Sequence, residues 1–148
     1  MANEEVGRNP PAASRQFVPD DLLLRVLTKA TWLTDLHEAF ILRSDEAGLS
    51  VFFDCSPAES VAISGLSSHG VASLIVRSVT NLRLTVTPDE QPRHATIGGI
   101  PHREDDPDTA EWLASRLAEI ATIVDRTRTR RRLASLPGAS LNSERQLY

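Results

Sequence analysis

Apolar and polar positions change period several times along the chain, and each change predicts an element. "LRLTVTP" (82–88) alternates apolar and polar residues and carries β-branched side chains, the pattern of a half-buried strand. The turn residues "DEQPR" follow, and then "HATIGGI" (94–100), a further strand weakened or bulged at Gly98–Gly99. "EAFILR" (38–43) and "LSVFFD" (49–54) are strand-like runs joined by "SDEAG", which predicts a hairpin. "DDLLLRVL" (20–27) and "ASLIVRSV" (72–79) are short and continuously apolar, so periodicity leaves strand and helix both open there.

Two helices are marked by their caps. In "SPAESVAI" (56–63), Ser56 stands at the N-cap, Pro57 at the first helical position and Glu59 three residues after the cap. Further on, Asp106 caps, Pro107 fits the first turn, and Asp108 and Glu111 complement the helix dipole. Leu113, Leu117, Ile120 and Val124 then recur at helical spacing, arginines crowd positions 126 to 132, and "LPG" (136–138) ends the segment. The expectation is an α+β fold, a small mainly antiparallel sheet closed by a long C-terminal amphipathic helix. Residues 1–16 read as a flexible arm, 17–133 as a single domain and 134–148 as a loose tail.

Composition narrows the class. At 148 residues with 41% hydrophobic and 24% charged content, the chain has room for one real core. Its apolar runs are too short to span a membrane, and "MANEEVGRNPPAAS" lacks the basic and apolar regions of a secretory signal. Cys55 stands alone, which excludes an internal disulfide and fits a cytoplasmic location. The net charge is −4, yet "RTRTRRR" holds five arginines, so the rest sums to −4 − 5 = −9. An acidic body with one basic patch argues against general nucleic-acid binding.

Reactive groups are densest in "PRHATIGGIPHREDD" (92–106). His94-Ala95-Thr96-Ile97 fits the H-x-T half-motif of two-histidine phosphoesterases, but no other histidine supplies the required second copy. His94, His102, Glu104, Asp105, Asp106 and Asp108 are metal-ligand types, but they lack the spacing of zinc or calcium sites, and no metal is expected. No P-loop, dinucleotide fingerprint or nucleophile elbow occurs. Cys55 beside a helix start is where a dipole can lower a thiol pKa, although no histidine partner is assignable. Arg128, Arg131 and Arg132 share a face if helical and, with Leu133 and Leu136, form a candidate docking surface.

The order "LLLRVL", "EAFILRSDEAGLSVF", "SPAE", "GVASLIV", "TPDEQPRHATIGGIP" resembles a set of small bacterial proteins with no assigned activity. The resemblance covers residues 22 to about 120 and implies a component of a conflict or toxin–antitoxin locus. A weaker similarity, to RES-type and other ADP-ribosyltransferase-like domains, rests on the order of Arg25, Ser50 and His94. That resemblance implies NAD as the cofactor consumed. Arg25 would hold the pyrophosphate, Ser50 would support the nicotinamide ribose, and His94 would stand where a carboxylate is usual. The leading expectation is a binding module that acts through a protein partner, with no membrane involved and a nucleic acid as the less favoured partner. The alternative is an NAD-consuming enzyme, and convergence of Arg25, Ser50 and His94 on one cleft would favour it.

Overall fold

A computed structural model describes residues 15–125. Six strands form one sheet: β1 (Leu22–Leu27), β2 (Leu49–Phe52), β3 (Gly70–Ile75), β4 (Thr85–Pro88), β5 (His94–Gly98) and β6 (Thr122–Asp125). Their order is β4-β5-β2-β1-β3-β6, and every neighbouring pair is antiparallel. Three α-helices accompany them: α1 (Pro57–Ser64), α2 (Val76–Thr80) and α3 (Pro107–Ile120). The fold is therefore α+β, as the sequence predicts.

Strand alternation sorts the side chains between two faces. Leu23, Leu27, Leu49, Val51, Ala72, Leu74, Ala95 and Ile97 point to the main core, where Leu113, Ala114 and Leu117 of α3 join them. Leu24, Val26, Phe52 and Val71 face the other way and are covered by Val61 and Ile63 of α1. Helices α1 and α3 thus lie on opposite faces. This leaves the second face, with its smaller apolar cluster, room for polar groups.

Both predicted caps form. Ser56 Oγ accepts from Glu59 N at 3.1 Å while Glu59 Oε1 accepts from Ser56 N at 2.8 Å, a reciprocal capping box. Asp106 Oδ1 accepts from Thr109 N at 3.2 Å at the head of α3. The run 72–79 is both of the elements left open, strand β3 followed directly by α2. Within 20–27, Leu22–Leu27 form strand β1, buried from Leu23 onward.

Three local expectations are corrected. "EAFILR" makes no hairpin strand: a 3-10 helix covers Leu36–Phe40, after another over Ala30–Leu33, and its apolar side chains plug the core beneath α3. Only the second half of 82–88 pairs as β4, because Arg83 takes a left-handed φ of 67° and breaks the extension. The C-terminal helix stops at Ile120; Ala121 is extended (φ −82°, ψ 149°) and Val124 lies in β6, paired to β3. "TIVD" satisfies a strand period as well as the helical stripe, and the open edge of β3 takes it into the sheet.

The arginine and leucine docking surface (Arg128, Arg131, Arg132, Leu133, Leu136), the tail, and residues 1–14 of the predicted arm lie outside the described residues. Arg15 is fixed, bonded to Asp54 at 2.9 Å and Asp21 at 3.0 Å.

Candidate active site

A tight turn between β4 and β5 sets the geometry of the site. Asp89 and His94 flank it, joined by Asp89 N donating to His94 O at 3.2 Å, and Arg93 inside it has φ 59°. Asp89 Oδ1 accepts from Gln91 N at 2.9 Å, which locks the carboxylate in an Asx turn. Its other oxygen, Oδ2, lies 2.5 Å from His94 Nδ1. An ionised carboxylate can only accept, so in the neutral imidazole the proton sits on Nδ1 and Nε2 is left to accept.

Ser50 meets that acceptor. On β2 it stands opposite Thr96, while Phe52 stands opposite His94, so Ser50 and His94 are diagonal neighbours on one sheet face. Ser50 Oγ lies 2.6 Å from His94 Nε2 and, given the tautomer, donates its proton to it. The Phe52 ring packs edge-on to the imidazole, with centroids 5.2 Å apart, and His94 is only 8% exposed. The three side chains form a Ser50–His94–Asp89 relay with the geometry of a catalytic triad.

Arg25 supports the strand that carries the serine. By alternation it faces the main core with Leu23 and Leu27, but β1 and β2 pair through the single register pair Leu24↔Phe52. The guanidinium bridges the seam: Nη1 donates to Ser50 O at 3.0 Å and Nε to Ala39 O at 3.0 Å. Burial pushes its pKa down to about 10, opposed by the charge of Glu46 and assisted by that of Arg43.

Arg25, Ser50 and His94 all line one cavity of about 250 Å³, together with Trp32, Phe52 and Gln91 and the charged pair Arg43 and Glu46. Three candidates named from sequence are thus brought together. The residue that sequence reasoning missed is Asp89, read only as part of a turn; its signal was its place opposite His94 across that turn.

The remaining candidates go elsewhere. Burial raises the Cys55 thiol pKa, with Arg93 opposing and Glu59 and Asp54 adding to the rise, so the nearby helix start does not activate it. His102 Nε2 donates to Glu46 O at 2.6 Å and pins the loop before β2. Asp106 is occupied as the α3 cap. Among the described residues, the group of three His and acidic side chains whose polar atoms all lie within 4.8 Å of one another is Asp35, His37 and Glu38, beside α3.

No family model, no curated protein and no solved structure matches the chain.

Proposed function

We propose that this chain is a serine-dependent acyl hydrolase, with Ser50 as nucleophile, His94 as general base and Asp89 as its orienting carboxylate. The observation that carries the proposal is the unbroken relay from Asp89 Oδ2 through His94 to Ser50 Oγ, with the last two lining a cavity. Ser50 Oγ attacks the carbonyl carbon of an ester or amide while His94 Nε2 takes the hydroxyl proton. The tetrahedral intermediate collapses as the imidazolium returns that proton to the leaving alcohol or amine. Water then adds to the seryl ester by the same route, releasing the acid and restoring Ser50. Gln91 and Arg43 line the same cavity and bring N–H donors for the developing oxyanion. The direct test is hydrolysis of p-nitrophenyl acetate by the purified chain. Turnover that disappears in Ser50→Ala supports the proposal; turnover unchanged in that variant refutes it.

The convergence of Arg25, Ser50 and His94 on one cavity also favours the NAD-consuming alternative. In that chemistry the glycosidic bond of NAD breaks and no seryl ester forms. Nicotinamide release that is lost in His94→Ala, without acyl hydrolysis, would select it.

A further inference from the structure

A second cavity of about 210 Å³ adjoins the first, and Arg25, Trp32, Arg43 and Glu46 line both. Its other charged lining residues are Lys29, Glu38 and Arg103. Four cations, Arg25, Lys29, Arg43 and Arg103, therefore face two anions, Glu38 and Glu46, a local balance of 4 − 2 = +2 in a chain of net charge −4. Pairing shows which cations are in excess. Arg43 pairs with Glu46 at 3.4 Å, and Arg103 with Glu38 at 3.1 Å and with Glu111, outside the lining, at 2.7 Å, which lowers the local balance to +2 − 1 = +1. Arg25 is bonded to neutral carbonyls. Lys29 has no carboxylate partner among the described residues; its ammonium lies over the Trp32 ring, 5.9 Å from the centroid.

We infer that this second cavity is a subsite for an anionic group, a carboxylate or a phosphate, carried by the compound that Ser50 acts on. The inference rests on the acyl-hydrolase reading for its connection to Ser50, though the anion site itself can be tested without catalysis. Lys29, at the exposed rim, is the cation left over, and its charge beside the buried guanidinium of Arg25 favours an anion in the cavity. Trp32 is a wall of both cavities and only 9% exposed, so a ligand group in either one touches a buried indole. The substrate class is a short acyl compound, an ester, thioester or amide, with its negative charge at the end away from the scissile bond. Hydrolysis would release that charged portion as an acid or with its leaving alcohol, thiol or amine.

Binding and turnover should be measured on the full chain. In a Trp112→Phe, Ser50→Ala background Trp32 is the remaining indole of the two in the sequence and reports occupancy by fluorescence. Glutarate or inorganic phosphate should give a saturable change, and the better of the two identifies the anion. Neutral glutaramide should give none. Lys29 is exposed, so Lys29→Met should fold, and it should weaken anion binding about tenfold or more. No saturable response to either anion, an equal response to glutaramide, or affinity unchanged in Lys29→Met each overturns the inference. In the active protein, p-nitrophenyl glutarate should exceed the acetate in kcat/KM about tenfold, a ratio that falls in Lys29→Met. Cleavage of both esters without that preference removes the subsite and leaves Ser50 standing. Anion binding without cleavage of either ester removes the nucleophile and leaves the anion site.

Discussion

Asp89 and His94 face each other across the neck of the β4–β5 turn, joined by a backbone hydrogen bond of 3.2 Å and a side-chain contact of 2.5 Å. The turn that closes the hairpin therefore also orients the imidazole, and the next strand supplies the serine. Ser50→Ala and His94→Ala should each remove measurable acyl hydrolysis while leaving the circular-dichroism spectrum intact. Asp89→Asn keeps the shape but offers a donor where Nδ1–H needs an acceptor. Its kcat should fall by about four orders of magnitude, the scale seen when a triad loses its orienting carboxylate. Equal activity for Asp89→Asn and the parent would disconnect the carboxylate from the chemistry.

Arg25→Leu leaves the Ala39 and Ser50 carbonyls without their guanidinium donor in a buried seam. Urea unfolding should show a loss of about 3 kcal/mol, the cost of stranding two buried acceptors. Activity should fall with stability, since the Ser50 backbone loses its tie to β1.

Gly48 precedes β2, and a Cβ there would come 2.3 Å from Thr96 Cγ2 and 2.7 Å from Ile97 O. The carbonyl belongs to β5 and cannot swing aside. Gly48→Ala should therefore push β2 away from β5, costing about 1–3 kcal/mol in thermal or urea unfolding. The same displacement separates Ser50 from His94, so hydrolysis should drop by more than the loss of folded protein explains.

The capping box at α1 makes stability depend on pH. Bonds from the Ser56 backbone and side chain hold the Glu59 carboxyl below its usual range, with help from Arg93. A carboxyl with a depressed folded pKa stabilises the fold above its unfolded pKa, and that contribution is lost as pH falls through the folded value. Melting temperatures of the parent and Glu59→Ala should thus differ at neutral pH and converge in acid. Ser56→Ala removes the cap oxygen itself and should cost about 1 kcal/mol at neutral pH.

Legibility followed the range of the interaction. The caps of α1 and α3 were readable because a cap is settled within four residues of chain. The end of α3 was not, because Ile120 and Val124 continue a helical stripe, and only pairing with the distant β3 makes 122–125 a strand. The segment 38–43 misled for a similar reason: its apolar run suits a strand, but Arg25 takes the Ala39 carbonyl and the side chains fill a core under α3. Arg25, Ser50 and His94 entered through a resemblance of order, whereas their convergence depends on strand register. Asp89 needed only the turn, since residues flanking a short hairpin loop oppose one another.

The central claim is that His94 activates Ser50 in the folded protein, and a fluorophosphonate tests it most directly. Intact mass and peptide mapping should find one phosphonyl adduct, on Ser50, formed by the native chain and absent after urea unfolding or in His94→Ala. No adduct on the native chain, or labelling of Ser50 at the same rate without His94, would contradict the account.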